Sequence, residues 1–395
     1  MLKELGSESQ KLVLDKGTRT LYTISESAPK LTVDTNLKSP YPAVLNGFLN
    51  HCTESAPEKG PEPMPLTLED IARMSGVSRS TVSRVINGDR NVNNQTREKV
   101  QDVIESINFQ PNLAARGLAV GHTGVLGLVI PTGVSSIFSD PYFPLLIQGV
   151  SSACNALDYS VMLWLAEPEF ERKSVSQILY NGLVDGILVS SMLVDDPLIE
   201  KLSESKRPFV TIGRHPTNEG VNYIDVDNRS GAYQAVSHIL RTGHRRVAVI
   251  NGPRNTIGAQ DRYQGYLDAM HERTIPVLPE LSADGEFSDT TGYLAMKQLL
   301  PKHPDAVFVA SDAMAIAAMR AIGEAGLRIP EDIAVVGFDD IPPAATTKPP
   351  LTTVRQPIQR TGCVAAETLI DLIAHPDHQP RRIVLPTELV IRSSC

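Results

Sequence analysis

The chain has 395 residues, 42% hydrophobic and 21% charged, with a formal net charge of −8. At roughly 150 residues per domain this is two or three domains, with too much apolar content for disorder throughout and no apolar run near the ~18 residues of a membrane span. The net negative charge argues against a protein coated in positive charge, yet leaves room for nucleic acid binding by one local patch.

Residues 1 to about 63 lack periodicity, and Pro, Ser, Thr and Gly interrupt every short apolar run. The stretch from Glu54 to Pro63 has linker composition. This segment reads as a weakly ordered extension, or as the result of a start assigned too early with Met64 as the true one. Residues 1–7 contain no apolar core of a secretory signal.

From Met64 the pattern turns helical. Thr67 with Asp70 three residues later predicts an N-cap with an acid in the first turn, and Ile71, Ala72 and Met74 supply an apolar face. Gly76 predicts a tight turn at positive φ. Ser78 then caps a second helix in which Val82, Val85 and Ile86 recur at helical spacing, ended by Asn87-Gly88. A third helix spans 95–107, with Val100, Val103, Ile104 and Ile107 on one stripe. These three elements have the logic of a helix-turn-helix. Arg79, Ser80 and Arg84 lie opposite Val82 and Val85, a face able to enter the major groove and read base edges, and the helix start at Ser78 can face a phosphate. Residues 64–123 carry seven Lys/Arg against six Asp/Glu, so the segment is not strongly basic.

From Gly124 short β-branched runs alternate with amphipathic helices. Strands are predicted at 125–130, 161–165, 186–190, 209–212, 247–250, 306–310 and 333–337. Helices include 143–157, 171–182, 229–242, 260–272, 290–300 and 313–326. This alternation implies parallel sheets covered on both faces. About 270 residues is more than one such sheet needs, so two lobes are expected.

The helix-turn-helix segment, together with Thr96-Arg97-Glu98-Lys99-Val100, the stretch from Phe109 to Leu118 and the strand Gly124–Pro131, resembles the LacI/GalR family of bacterial transcription regulators. The likeness runs from about residue 66 to the C-terminus. It implies an all-α DNA-binding headpiece at 64–110, a hinge helix and linker at 111–123, and an α/β two-lobed effector domain of the periplasmic-binding type at 124–395. The N-lobe would take about 124–226 and 357–383, the C-lobe about 227–356 and 384–395. It assigns DNA contacts to Thr67, Ser78, Arg79, Ser80, Thr81, Ser83, Arg84, Asn87, Thr96, Asn112, Ala115 and Leu118. In the family the hinge helix pairs with its dimer mate in the minor groove, and the leucine matching Leu118 wedges between base pairs. A large apolar side chain suits such a kink. The hinge run is too short to be helical alone, and Gly117 weakens it further, which suits a switch element.

Sheets of this kind bind ligands beyond the carboxyl ends of their strands. The resemblance places Arg262 and Asp312 on the effector's hydroxyls, stacks Phe287 on its apolar face and closes the other lobe with Tyr142 and Phe143; Trp164 and Arg214 complete the set. A guanidinium fork, a carboxylate and an aromatic ring are apt chemistry for a sugar. The implied protein is a cytoplasmic homodimer on a pseudo-palindromic operator, with no membrane association, repressing carbohydrate-utilisation genes under control of a sugar-like effector. The alternative is a sugar-binding protein of the periplasmic type without DNA function. No leucine heptad follows the last strand, so a dimer rather than a tethered tetramer is expected.

No catalytic motif is present, and no enzyme activity, cofactor or metal is expected. Cys52, Cys154, Cys363 and Cys395 form no C-x-x-C pair, which suits neither a zinc site nor a disulfide framework and fits a reducing compartment.

Overall fold

The computed structural model describes residues 10–14, 21–25, 66–86, 88–89, 91–109, 122–130, 137, 140–165, 182–190, 193–194, 197–205, 207–215, 220–376 and 379–395. The helix expected at 171–182 (all but Gly182), the expected hinge helix, and Asn87, Asn112, Ala115 and Leu118 lie outside these residues.

Within the segment expected to be weakly ordered, Gln10–Leu14 (β1) pairs antiparallel with Leu21–Ser25 (β2). No strand is predicted there, although both runs are rich in Leu, Val, Ile, Thr and Tyr.

The headpiece is a three-helix unit of Leu68–Ser75 (α1), Arg79–Ile86 (α2) and Asn94–Ser106 (α3). Thr67 and Asp70 form a reciprocal capping box: Asp70 N donates to Thr67 Oγ1 at 3.4 Å and Thr67 N to Asp70 Oδ2 at 2.9 Å. Gly76 sits at φ +70°, where its N–H closes α1 onto Ala72 O. A side chain would strain that turn. Ile71, Val82, Val85 and Val100 form the buried centre, flanked by Val77, Val103, Ile104 and Phe109.

The larger unit holds two six-stranded sheets. In the N-lobe the order is Arg382–Leu385 (β13), Tyr223–Val226 (β7), Phe209–Ile212 (β6), Gly186–Val189 (β5), Val125–Ile130 (β3) and Ser160–Leu165 (β4), all parallel. In the C-lobe it is Glu388–Val390 (β14), Thr352–Arg355 (β12), Ala334–Asp339 (β11), Ala306–Val309 (β10), Val247–Asn251 (β8) and Ser282–Asp284 (β9). Here only β14 is antiparallel.

The central strands β3, β5 and β10 are apolar throughout because helices cover both faces. In the N-lobe Tyr142–Ala156 (α4) and Ile358–Ala374 (α10) pack together on one face, and Pro197–Ser205 (α5) packs on the other. In the C-lobe Asn228–Arg241 (α6) pairs with Ile257–Glu272 (α7), and Asp289–Leu299 (α8) with Asp312–Glu324 (α9).

The chain crosses between lobes three times: after β7, between β12 and α10, and between β13 and β14. The last crossing falls at Pro386-Thr387 rather than after residue 383, because Val384 and Leu385 pair with Asp225 and Val226 of the N-lobe sheet.

Candidate DNA interface and effector cleft

On α2, at about 100° per residue, Arg79, Ser80, Ser83 and Arg84 fall on one arc of about 140°, opposite Val82 and Val85. Val82 and Val85 are buried, while Arg79, Ser80 and Arg84 are exposed and Ser83 half-buried. Ser78 caps the helix, accepting from Thr81 N at 3.2 Å, and its hydroxyl also lies 2.8 Å from those of Ser80 and Thr81. Thr67 is exposed beside α1, and Thr96 is half-buried in the first turn of α3. Arg79 Nε reaches Glu69 Oε1 at 2.9 Å, and Arg84 lies 3.9 Å from Asp89; both arginines are two-thirds exposed. Pairs this wet are weak, so both guanidiniums are available to a duplex.

Between the lobes lies a cavity of about 640 Å3. Tyr142, Phe143, Arg262 and Phe287 line it, as expected from sequence. Tyr142 and Phe143 open α4, their rings edge to face with centroids 5.4 Å apart. Asp140 Oδ1 accepts from Tyr142 N at 3.0 Å, and burial raises the Asp140 carboxyl above its ordinary range. Burial likewise raises the Tyr142 phenol.

Opposite, Arg262 is held on three sides. Its Nε donates to Asn228 Oδ1 at 2.9 Å, and its Nη1 to Ala310 O at 2.5 Å and to Asp339 Oδ1 at 3.5 Å. The guanidinium lies 3.9 Å from the Phe338 ring centre and 5.9 Å from that of Phe287.

Two expectations are corrected. Asp312 does not line the cavity. It is fully buried, its carboxylate accepts from Thr353 Oγ1 at 2.6 Å and Ile341 N at 3.0 Å, and burial pushes its pKa up to about 7. It ties α9 to the ends of β11 and β12.

Trp164 is also absent from the cavity. It sits on β4 over Gly127 of β3, where a Cβ would meet its ring at 2.5 Å, and packs against the cluster around Val129, Ile187 and Val189.

Arg214 is committed to Asp261, with Nε–Oδ2 at 3.1 Å and Nη2–Oδ1 at 2.6 Å. This is an ion pair from the end of β6 in the N-lobe to α7 in the C-lobe. It borders a recess of about 60 Å3 that shares Tyr142, Arg262 and Phe287 with the main cavity.

A second contact between lobes is made by backbone: Val194 N donates to Asn255 O at 2.8 Å, beside an antiparallel bridge of Leu193 with Thr256.

The cavity acid that meets Arg262 is instead Asp339. It ends β11 at φ +126°, followed by Asp340 at φ +56°. Two successive non-glycine residues in that region mark stored strain of the kind found at ligand sites. Gln356 Nε2 donates to Asp339 Oδ1 at 2.5 Å. Burial drives the Asp339 carboxyl well upward, while Arg262 pulls it back and Asp312 and Asp140 push the same way as burial. Gln356 and Ser190 also line the cavity, the Ser190 hydroxyl buried without a partner among the described residues. Two carboxylates where a buried strand ends are a sequence signal for Asp339; a strand stopped at Gly337 hides it.

A family model described as bacterial regulatory proteins, lacI family, matches residues 67–112, and one described as a periplasmic binding protein-like domain matches residues 236–395. The HTH-type transcriptional regulator CelR of Thermobifida fusca is 38% identical over 332 residues, 83% of this chain and 98% of its own length. The chain belongs to the LacI family. The probable HTH-type transcriptional repressor ExuR of Bacillus subtilis (strain 168) is 33% identical over 331 residues, 83% of this chain and 98% of its own. Among solved structures, the lac repressor dimer bound to operator and the anti-inducer ONPF aligns with a TM-score of 0.74 at 29% identity, covering 84% of this chain and 99% of its own. The CelR–cellobiose complex aligns at 0.67 and 36% identity, covering 84% and 100%. This LacI-family chain is an effector-controlled DNA-binding transcriptional regulator and not an enzyme.

Proposed function

We propose that the protein is a cytoplasmic homodimer that represses carbohydrate-utilisation genes from a pseudo-palindromic operator, and that its effector is a neutral, two-ring saccharide. The observation that carries the effector reading is the charge balance of the cleft. Arg262 is the one cation among its described lining residues, against Asp140, Asp339, Glu286 and Asp289. That arginine is already engaged by Asp339, Asn228 and Ala310. Asp339 is paired with Arg262 and Asp289 with Arg320, which leaves Asp140 and Glu286 to face a carboxylated sugar or a phosphate, whereas hydroxyls can donate to them. The two aromatic rings facing Arg262 suit the C–H face of a pyranose. The volume lies inside the ~300–1,000 Å3 range of small-molecule sites and takes a disaccharide. The cellobiose-bound relative supports the same class.

On the DNA side, Arg79, Ser80 and Arg84 read bases in the major groove, with Ser78, Thr81, Ser83, Asn87, Thr67 and Thr96 holding the backbone. Asn112, Ala115 and Leu118 act in the minor groove. One headpiece reads only a half-site, which is why a two-fold dimer is required. Residues 1–63 lie upstream of every part of this machinery, and a chain starting at Met64 keeps both operator affinity and effector response.

The test is selection of an operator from random DNA, followed by titration of that operator with cellobiose, glucose, galacturonate and hypoxanthine in turn. Cellobiose is expected to change the operator Kd. A response to galacturonate or hypoxanthine instead overturns the neutral-saccharide reading. Failure to enrich any palindrome overturns the operator reading. In the same assay Arg79→Ala relaxes selection at one base position, a loss of about 1–3 kcal/mol of discrimination.

A further inference from the structure

The backbone leading into β3 converges on one carboxylate. Asp185 Oδ1 accepts from Thr123 N at 2.7 Å and Thr123 Oγ1 at 2.9 Å, and Oδ2 accepts from Gly124 N at 2.8 Å. His122 Nδ1 closes on Oδ2 as well, and the Tyr159 hydroxyl lies 3.0 Å from His122 Nε2. The Asp185 side chain is only 7% exposed, so these donors stand where water would otherwise be.

Asp185 directly precedes β5, whose Ile187, Leu188 and Val189 are fully buried and which pairs in parallel with β3. At the far ends of the same two strands, Ile130 and Ser190 line the effector cavity. Beyond Ser190, Leu193 and Val194 make the backbone contact to the C-lobe. Two adjacent strands therefore carry the incoming linker at one end and the ligand cavity at the other. A four-residue strand spans only ~13 Å, and a close-packed one moves as a unit.

We infer that Asp185 is a positioning residue of the regulatory response: it fastens residues 122–124 to β5, so that a shift of β5 at the cleft is passed to the linker. This rests in part on the reading that an effector occupies the cleft; the fastening itself does not. Without the carboxylate the N–H groups of Thr123 and Gly124 lose their common acceptor, and residues 122–124 are no longer fastened to β5, although Asp185 N still donates to Val125 O at 2.9 Å.

Full-length wild type, Asp185→Asn and Thr123→Val are titrated with the selected operator, each with and without cellobiose. Asp185→Asn keeps the side-chain shape but sets an NH2 against a donor; Thr123→Val removes one donor to Asp185 together with the acceptor of Val125 N, keeps the carboxylate, and is the milder change. Asp185→Asn is expected to bind cellobiose within about twofold of wild type, yet lose most of a cellobiose-dependent change in operator Kd of about tenfold, a typical coupling. Thr123→Val loses part of it. A full response in Asp185→Asn overturns the inference. If Asp185→Asn fails to fold, Thr123→Val decides: a wild-type response there overturns it equally. If wild type itself does not respond to cellobiose, the effector reading has failed. The fastening is then judged by operator Kd without sugar, which both variants should raise; wild-type values in both overturn it.

Discussion

The two lobes are wound alike but wall the cleft differently. The N-lobe contributes a helix start, where Asp140, Tyr142 and Phe143 present two rings and one carboxyl, and the hydroxyl of Ser190. The C-lobe contributes a wired charge system, Arg262 with Asp339, Asn228 and Gln356, backed by the Phe338 ring. One wall selects by shape and the other by hydrogen-bond polarity. Only the charged wall depends on its buried groups being paired, so substitutions there should cost stability and ligand affinity together, whereas the aromatic wall should lose affinity alone.

The sharpest break of this contrast is Arg262→Ala. It leaves Asp339 buried without its cation, a kind of loss that costs about 3–5 kcal/mol. The denaturant midpoint should fall steeply and calorimetry should detect no cellobiose binding. Retained binding would mean that the C-lobe wall does not recognise its ligand by charge.

Asp312 comes next, as a buried acid of the same lobe outside the cleft. Asp312→Ala strands Ile341 N and the Thr353 hydroxyl, a penalty of roughly 1–3 kcal/mol, while cellobiose affinity should fall far less than in Arg262→Ala. Its pH signature has a definite sign. The folded carboxyl titrates at about 7 against an ordinary value of 3.8. Between those values the folded chain holds a proton that the unfolded chain has released. This group's contribution is therefore full below the lower value, declines as pH rises through the window, and is level above it. Urea midpoints collected from pH 4 to 8 should show that decline in wild type and a flatter profile in Asp312→Asn.

Smaller again is Asp261→Asn, which frees Arg214 from its bridge between the lobes. A partly exposed pair of this kind contributes up to about 1 kcal/mol, so the cellobiose Kd should shift by only a few-fold and the urea midpoint should fall only slightly. The smallest effect belongs to Trp164→Phe, since that ring packs over Gly127 on β3. Cellobiose affinity should stay within experimental error, and a large loss would move Trp164 back to the ligand.

What the sequence disclosed and what it withheld follow one physical line. Local signals were readable: the Thr67 cap with Asp70, the Gly76 turn, the stripe through Val82 and Val85, and the buried runs of β3, β5, β6, β8 and β10 each depend on neighbours a few residues away. Tyr142, Phe143, Arg262 and Phe287 could be placed on the cleft by the family resemblance, each lying on a segment beyond a strand's carboxyl end.

Direction was harder to read. Trp164 and Asp312 have the right chemistry for a sugar, but their orientation is set by Gly127 across a strand pair and by Thr353 some forty positions away. In a strand a single step reverses the face presented. Asp339 escaped because β11 runs two residues past Gly337, to the point where the backbone turns into the left-handed region. Gln356 and Ser190 carry no pattern of their own; only the fold brings them to the cavity.

The crossing at Pro386-Thr387 bears on how the protein is made. The N-lobe sheet is completed by β13 and the C-lobe sheet by β14, strands separated by those two residues and later in the chain than every other described element. Ser394 then stitches β11 to β12, its hydroxyl donating to Val335 O at 2.6 Å and accepting from Thr352 N at 2.8 Å. On the ribosome, where N-terminal units fold first, the three headpiece helices have all their partners before the effector lobes have even been translated. Both lobes must wait for the same final stretch of chain, and they finish within a few residues of each other. A nascent polypeptide thus owns a reader before it owns a sensor, and a transcript truncated upstream of β13 leaves both sheets unfinished rather than one lobe intact.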